Sequence, residues 1–327
     1  MKQLPRLSAR ICAALAVVLF ATAAQAEYPT KPVTLVSPYG PGGAADLAAR
    51  TLSATAPGLL GNGILVVNRT GAAGVIGSTF VAKSKPDGYA LLLARVGSQA
   101  AVPAINRKIP YKWDDFTFLG LLEQNPFALT VSAKSPYKTF KDLEKAAKSG
   151  KKLSYSSAGV GALQHLGMVI LLDELGLNQD SMKHIPFKGG GKAGAAVIGG
   201  HVDIFFQNLS GVIGNIQGGQ MRALAVTTAK RAPSISSVPT FRELGYPKME
   251  VVMGWSGLWG PKNLPADVVG KWTGLLQKLK TDKAWNKMTK GLGSLPMIMN
   301  PVDTKAFVKI QYETFKEVTE RLGLTIK

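Results

Sequence analysis

The fold class follows from one stretch near the N-terminus, Tyr28-Pro-Thr-Lys-Pro-Val-Thr-Leu-Val-Ser-Pro-Tyr-Gly-Pro-Gly-Gly-Ala-Ala-Asp46. Its apolar segment, residues 32–37, is typical of a buried strand, and the glycines and proline that follow indicate a tight turn. From Ala44 to Leu60 the apolar residues have helical spacing, and Gly61 predicts the end of that helix. A strand that leads through a glycine turn into a helix is the building unit of an α/β fold.

Strands and helices continue to alternate along the chain. Further strands are predicted at residues 64–67, 90–94, 127–131, 153–155, 185–187, 202–206 and 222–227. A helix is predicted from Thr139, as N-cap, to Lys148, and two longer amphipathic helices close the chain. Because no flexible linker interrupts the pattern, two domains would have to be joined by ordered segments. We take Phe127–Val131 and Val251–Trp259 as these crossover segments.

The first 26 residues are typical of a secretory signal peptide. Basic residues precede an apolar run that extends from Ile11 to about Ala23, and Ala24-Gln-Ala26 is a small-x-small cleavage site. The run is too short to cross about 30 Å of hydrocarbon, which requires about 20 helical residues. We therefore expect cleavage after Ala26 and a periplasmic mature protein.

The composition excludes several classes of function. The one cysteine, Cys12, lies in the signal peptide, so cleavage removes any possibility of a disulfide or a thiolate site. The net charge of +19 raises nucleic acid as a partner, but the basic residues are scattered and do not alternate with aromatic residues. We expect no nucleic-acid binding, and interpret the charge as a field that attracts anionic solutes.

Motifs for catalysis and metal binding are missing from the sequence. The three histidines lack HExxH spacing, no serine stands in a GxSxG turn, and Gly191-Lys192 is followed by Ala193 instead of the hydroxyl residue of a Walker A motif. We therefore predict no catalytic residue, no metal ligand and no cofactor.

Two glycine-rich turns follow predicted strands. Gly40-Pro-Gly-Gly-Ala-Ala45 matches GxGxxA, and Gly189-Gly-Gly-Lys-Ala-Gly194 matches GxGxxG. A dinucleotide fold needs an acidic residue about 20 positions further on, and the first turn has none between residues 47 and 86. The turns remain either anion sockets, in which helix N–H groups hold a carboxylate, or simple tight turns.

A series of motifs then extends over the whole mature chain. The opening stretch is followed by Asn68-Arg-Thr-Gly-Ala-Ala-Gly-Val-Ile-Gly77, Pro86-Asp-Gly-Tyr-Ala-Leu-Leu-Leu93, Leu153-Ser-Tyr-Ser-Ser-Ala-Gly159, Pro186-Phe-Lys-Gly189 and Gly199-Gly-His-Val-Asp203. In this order they resemble the Bug family, the extracytoplasmic receptors of tripartite tricarboxylate transporters. The resemblance implies an α/β, two-lobed periplasmic-binding-protein (Venus-flytrap, type II) fold with two crossover strands. We expect residues 27–125 and 256–327 in lobe 1, and 126–255 in lobe 2.

In the Bug family, one loop from each lobe binds a carboxylate through backbone N–H groups, hydroxyls and waters. The resemblance therefore implies two sets of ligand-binding residues here. They are Tyr39, Gly40, Gly42, Gly43 and Ala44 in the first lobe, and Ser156, Ser157, Ala158, Gly159 and Ala162 in the second.

Four further positions are candidates with open alternatives. Arg95 departs from the small or hydroxyl residues usual in the family, and would either bind a second carboxylate or be an exposed side chain. Asp203 would either face the ligand or make a local hydrogen bond. Phe187 and Trp255 would either line the cleft or pack in the core.

These features predict a solute-binding protein and not an enzyme. We expect it to capture a small carboxylate, a dicarboxylate of aliphatic or aromatic type, and to deliver it as a monomer to the membrane permease subunits of a tripartite tricarboxylate-type transporter. The alternatives are a receptor that presents the carboxylate to a membrane sensor kinase and, less favoured, a secreted α/β enzyme.

Overall fold

The structure is a computed structural model that describes residues 27–321 and 323–324 of the 327-residue chain. The predicted signal peptide, residues 1–26 with cleavage after Ala26, lies outside the described residues. Within the described part, none of the helices has the length and hydropathy that a bilayer span requires.

A six-stranded sheet forms the first lobe, in the order β11-β4-β10-β3-β1-β2. Strand β1 pairs in parallel with β2 and β3, whereas β10 lies antiparallel between β3 and β4. The strands of this sheet are β1 (Val33–Ser37), β2 (Ile64–Asn68), β3 (Ala90–Arg95), β4 (Phe116–Asn125), β10 (Gly254–Pro261) and β11 (Leu295–Pro296).

A five-stranded sheet forms the second lobe, in the order β7-β6-β8-β5-β9. Strand β6 pairs in parallel with β7 and β8, and β5 pairs antiparallel with β8 and β9. Its strands are β5 (Phe127–Ser132), β6 (Leu153–Ser157), β7 (Met182–Pro186), β8 (Ile204–Asn208) and β9 (Met221–Val226). The chain passes from the first sheet to the second at Pro126, between β4 and β5, and β10 is its first strand back in the first sheet.

Helices cover both sheets, as expected for sheets with parallel strands. They are α1 (Ala44–Thr55), α2 (Pro57–Leu60), α3 (Val75–Ala82), α4 (Val102–Ile105), α5 (Phe140–Lys148), α6 (Leu163–Glu174), α7 (Gly190–Ile198), α8 (Ile213–Gln217), α9 (Ala266–Leu279), α10 (Lys283–Gly291) and α11 (Pro301–Arg321). Helix α5 begins with the predicted cap: Thr139 and Asp142 form a capping box, each side chain accepting a hydrogen bond from the other's backbone N–H.

Most predicted elements occur within a few residues of their expected bounds, with three differences. The helix expected from Ala44 to Leu60 is divided in two at Ala56, because Pro57 starts a new short helix. Strand β8 spans residues 204–208 instead of 202–206, and its later end places Gln207 and Asn208 inside the strand. Strand β4 was not predicted at all, although its residues are almost all buried.

The topology determines where a ligand site can form. In α/β sheets the carboxyl ends of parallel strands, with the helix N-termini that follow them, create the binding crevice. Here β1 and β3 of the first lobe, and β6 and β8 of the second, all end towards the contact between the two lobes, because the residues that follow them meet there.

Candidate functional site

A small cavity of about 30 Å³ lies between the two lobes. A buried water needs about 10–15 Å³ measured in this way, so the cavity has space for roughly two waters. Both lobes supply its walls, which consist of Tyr39, Gly43, Ala44, Ala45, Arg95, Val96, Gly97, Ala158, Leu163, Gln164, Gly190, Gln207 and Asn208.

Three helices point their N-termini at this cavity: α1 from the first lobe, and α6 and α7 from the second. Their first backbone hydrogen bonds are donated by Leu47 to Gly43 (3.0 Å), by His165 to Ala162 (2.9 Å) and by Ala193 to Gly189 (3.2 Å). The N–H groups that precede these bonds, among them those of Ala44, Ala45, Leu163, Gln164 and Gly190, have no acceptor within their helix. Because each helix also carries partial positive charge at this end, the site favours an anion.

Glycines allow the two lobes to approach backbone to backbone beside the cavity. A Cβ atom on Gly189, where φ is +144°, would lie 2.8 Å from the backbone N of Gly40. A Cβ on Gly191 would lie 2.5 Å from the carbonyl oxygen of Pro41. Both glycine-rich turns therefore begin helices, α1 and α7, and also face each other across the cleft. A tight turn and an anion socket were the two alternatives for these sequences. The same turn can be both, because a tight turn that starts a helix also presents the unpaired N–H groups of that helix.

Arg95 is buried in the cavity wall at the carboxyl end of β3, and only 4% of it is exposed. Its Nη2 donates to Oδ1 of Asn208 on the second lobe at 2.9 Å, and its Nη1 donates to Oγ of Ser256. Oε1 of Glu123 lies 3.7 Å from Nη1 and accepts from Ser256 Oγ at 2.7 Å. Burial lowers the pKa of Arg95, while Glu123 and, to a lesser extent, Tyr39 oppose that shift. Arg95 is therefore buried and not exposed, and its binding to a second carboxylate stays a prediction.

Tyr39 connects the first-lobe turn to a neighbouring loop. Its hydroxyl donates to the carbonyl oxygen of Ala73 at 2.8 Å, and its ring lines the cavity. Burial raises the pKa of Tyr39 well above its usual range, so the hydroxyl remains a neutral donor. Among the other predicted residues of this turn, Gly43 and Ala44 line the cavity, whereas Gly40 and Gly42 do not. The N–H of Gly42 instead donates to Oδ2 of Asp46 at 3.1 Å.

The predicted second-lobe loop contributes one residue to the cavity wall, Ala158. Ser156 is buried beneath the loop, where its Oγ donates to the carbonyl oxygen of Ala193 at 3.2 Å. Ser157 holds the loop together: its Oγ lies 2.6 Å from Nε2 of His184 and accepts from the Gly159 N–H at 3.2 Å. Ala162 is fully buried and precedes α6 as its N-cap. The two serine hydroxyls thus support the loop and lie outside the cavity wall in this conformation.

Behind Ser157, three rings are stacked. The rings of His165 and His184 lie 4.2 Å apart at an angle of 9°, and Tyr155 stacks on His184 at 4.9 Å. Burial lowers the pKa of His165 to about 4. Burial and, secondarily, the neighbouring His165 lower the pKa of His184 to about 4 as well. Both rings are therefore neutral at pH 7 and act as packing for the loop.

Asp203 lies at the opposite end of β8 from the cavity. Five residues of strand, at about 3.3 Å each, separate it by about 17 Å from Asn208. Its exposed carboxylate accepts from the Ser154 N–H at 2.8 Å and from the Ser154 hydroxyl at 2.7 Å. The local hydrogen bond, the second alternative for Asp203, is what the structure shows.

Trp255 and Phe187 also lie outside the cavity wall. Trp255 is fully buried and packs against Trp259, with ring centroids 5.8 Å apart, so it belongs to the core. Successive side chains of a strand alternate between faces, and it is the next residue, Ser256, that meets Arg95. Phe187 is half-buried and lines a separate surface groove with Lys188.

Three polar residues of the cavity wall, Gln164, Gln207 and Asn208, are among those that the sequence analysis missed. Oε1 of Gln207 accepts from Gln164 Nε2 at 2.9 Å and from the Asn208 N–H at 2.8 Å, so the amides form one buried network. Polar residues at the carboxyl end of a predicted buried strand were the available signal for Gln207 and Asn208. For metal ions, the described residues contain no group of three or more His, Cys, Asp or Glu side chains that could bind one.

The fold and the site define a class: two α/β lobes that close on a small anion-binding cavity make a solute-binding protein of the periplasmic type. Comparison with known families then identifies the family. Residues 48–324 match the tripartite tricarboxylate transporter family receptor, so the chain belongs to that family. This confirms the resemblance to Bug proteins and the prediction of a receptor, since the family consists of receptors and not of enzymes.

Solved structures agree with this assignment over nearly the whole chain. The periplasmic binding protein BugD is 32% identical with a TM-score of 0.87, over 92% of this chain and 100% of BugD. MatC from Rhodopseudomonas palustris, solved with bound malate, is 27% identical with a TM-score of 0.82, over 89% of this chain and 99% of MatC. Another R. palustris protein, solved with adipate, is 27% identical with a TM-score of 0.86, over 90% of this chain and 98% of that protein.

Proposed function

We propose that this receptor captures a small dicarboxylate in the interlobe cavity and delivers it to the membrane subunits of a tripartite tricarboxylate-type transporter. The observation that carries the proposal is the convergence of three helix N-termini and one buried arginine on a single cavity. Unpaired N–H groups and a guanidinium are the donors that carboxylate oxygens require. Malate and adipate, the ligands of two similar proteins, are both dicarboxylates.

One carboxylate of the ligand binds at the N-termini of α1, α6 and α7. Each exposed helix dipole contributes about 0.3–1 kcal/mol to an anion, and more when the site is buried. The Gly43–Ala45 turn and the Ala158 loop belong to opposite lobes. A carboxylate that reaches both therefore favours the closed conformation through contacts that the open conformation lacks.

The second carboxylate pairs with Arg95. In the present conformation the guanidinium already interacts with Asn208, Ser256 and Glu123. The cavity is also too small for a four-carbon acid. We infer that the ligand enters while the lobes are apart, and that its carboxylate replaces Oδ1 of Asn208 as the acceptor of Nη2. Arginine binds carboxylates in a planar, two-bonded geometry, which gives this position its selectivity for a dianion.

Several finer expectations belong to the same proposal. Residues 27–125 and 256–327 form lobe 1, residues 126–255 form lobe 2, and the receptor acts as a monomer after cleavage at Ala26. Family membership favours transport over presentation of the ligand to a sensor kinase, and over catalysis in the cleft.

A thermal-shift screen tests the proposal with ligands in matched pairs. Adipate and hexanoate have equal chain lengths but carry two and one carboxylates, and malate and 3-hydroxybutyrate form a shorter pair. We expect dicarboxylates to stabilise the protein more than their partners, since only they reach Arg95. No stabilisation by any member of an extended panel of carboxylates would refute carboxylate binding, and equal stabilisation within the pairs would refute the dicarboxylate assignment.

A paired variant then tests the role of Arg95. Arg95→Met together with Glu123→Gln removes the guanidinium without leaving a buried charge. We expect it to lose the preference for the dicarboxylate while still binding the monocarboxylate, which calorimetry with each pair measures. Equal losses for both ligands would show that Arg95 does not contact the second carboxylate.

A further inference from the structure

A second cavity, of about 480 Å³, opens to the surface beside the ligand cavity. The first lobe supplies residues 71–73 to its walls, and the second lobe supplies residues 158–160, residues 186–188 and Lys192. We call it the interlobe groove. Ala158 belongs to the walls of both the groove and the ligand cavity, so the two sites are neighbours.

The interlobe groove depends on contact between the lobes. A Cβ atom on Gly159 of the second lobe would lie 3.3 Å from the backbone N and Cα of Ala73 on the first lobe. The lobes are thus in van der Waals contact at the floor of the groove. Hinge opening moves these two walls apart, so a partner that needs both walls can bind only to the closed receptor.

The groove and its surroundings are basic. Lys188 and Lys192 are exposed and form no ion pair with any described residue. Moreover, the three segments that build the groove come from stretches without a single Asp or Glu, namely residues 47–86, 145–172 and 181–202. A partner segment that carries carboxylates would be attracted here by Lys188 and Lys192, and the groove wall itself contains no acidic residue.

Apolar side chains border the groove on the side of each lobe. Val160 on the second lobe is 59% exposed, and Ile76 and Phe80 on α3 are 53% and 38% exposed. Ile76 packs directly on Gly71 in the groove wall. The guanidinium of Arg69 lies 3.8 Å above the ring of Phe80, which adds a further positive charge to this border. Exposed apolar residues of this kind, next to charge, are typical of a protein-binding surface.

We propose that the interlobe groove is the docking site for an acidic segment with apolar side chains on the membrane component of the transporter. The inference rests on the proposed function, because only a transport receptor has such a partner. The groove would allow the membrane component to distinguish the closed receptor from the open one. The lysines of the groove are exposed, whereas Arg95 in the ligand cavity is buried. This exposure favours a macromolecule, and not the far end of the ligand, as the partner of the two lysines.

Photo-cross-linking from one introduced thiol tests the proposal. Val160→Cys places a thiol at the groove border in a chain whose other cysteine, Cys12, precedes the predicted cleavage site. A benzophenone-maleimide label on this thiol is activated in membrane vesicles that contain the co-expressed membrane component, with malate, with adipate and with neither acid. We expect a cross-link to that component. Lys188→Glu with Lys192→Glu in the same chain should lower the yield of the cross-link about tenfold, because these changes reverse the charge of the groove at the interface.

Matched controls make each outcome decisive. Lys305→Glu with Lys309→Glu applies the same charge change to exposed residues of α11 and should leave the yield unchanged. Val302→Cys, a residue that is 78% exposed on the same helix, should give no cross-link. Equal cross-linking from residue 302, full yield after the change at residues 188 and 192, or no cross-link from residue 160 would each overturn the docking site.

Thermal shifts measured on the same proteins separate this inference from the proposed function. If the change at residues 188 and 192 abolishes stabilisation by malate or adipate, the groove holds part of the ligand and the docking proposal fails. If the wild-type protein is stabilised by no carboxylate and yet cross-links from residue 160, the ligand assignment fails and the docking site stands.

Discussion

Replacing Arg95 by methionine tests how the buried charges of the site are balanced. The guanidinium and the carboxylate of Glu123 are 4% and 3% exposed and 3.7 Å apart. With an effective dielectric constant of about 20, their attraction is about 4 kcal/mol. Removal of one partner from such a pair costs about 3–5 kcal/mol, because the other charge remains buried without compensation. Asn208 and Ser256 also lose the donor that they share.

We therefore expect Arg95→Met to lower the free energy of unfolding by about 4 kcal/mol, since removal of one buried partner dominates the change. Urea denaturation followed by circular dichroism at pH 7, without ligand, measures this quantity. Adding Glu123→Gln removes the stranded carboxylate and should return the stability to within about 1–2 kcal/mol of wild type. Arg231→Met, in an ion pair whose side chains are 45% and 41% exposed, is the control and should cost less than about 1 kcal/mol.

Two results would contradict this account of the site. If Arg95→Met is as stable as wild type, Arg95 and Glu123 are not coupled in the protein. If Glu123→Gln fails to restore stability in the double variant, the loss arises from the shape of the methionine side chain and not from an unpaired charge.

Three further predictions concern the surroundings of the cavity. The pKa of His165 and of His184 is about 4 in the folded protein, against about 6.5 in the unfolded chain. Between these pH values the unfolded chain binds more protons than the folded protein. The free energy of unfolding should therefore fall as the pH drops from 6.5 towards 4. Discounted for partial exposure, the loss is about 2 kcal/mol for each ring; His165→Phe with His184→Phe should flatten the pH profile of the urea midpoint, and an unchanged profile would contradict the assignment. Gly189→Ala should weaken ligand-induced stabilisation, because the new Cβ would meet Gly40 and the φ of residue 189 is positive. Gly214→Ala, which has open space around it, is the control and should not weaken this stabilisation. Equal ligand-induced thermal shifts in the two variants would refute the requirement for close approach of the lobes. Trp255→Ala should cost about 3–5 kcal/mol of stability, as for other buried aromatics, and leave the ratio of dicarboxylate to monocarboxylate affinity unchanged; a changed ratio in calorimetry would return Trp255 to the ligand site.

Local patterns were enough to predict the fold class and most elements. The strand at residues 33–37, the turn and the start of α1 at Ala44 depend on apolar spacing and glycine chemistry within one short segment. The same holds for Thr139 and its capping box, where the interacting groups are three residues apart. The resemblance to the receptor family depended on motifs in their order, and family membership confirmed it.

The functional residues were harder to predict because their contacts join distant parts of the chain. Arg95 meets Glu123, Asn208 and Ser256, which are separated from it by up to 161 positions. No local pattern distinguishes a buried arginine with such partners from an exposed one. Likewise, only the assembled structure shows that the carboxyl end of β8, with Asn208, faces the cavity, while Asp203 lies at the far end of the strand.

The sequence alone therefore determined the class of fold and the family, and it predicted the export signal. All three depend on the order and spacing of residues along the chain. The tertiary structure decided which residues surround the cavity, because helices α1, α6 and α7 meet only after two separate sheets have formed and come together. Unpaired N–H groups exist at every helix start, but they can hold an anion only where several of them point at the same enclosed space.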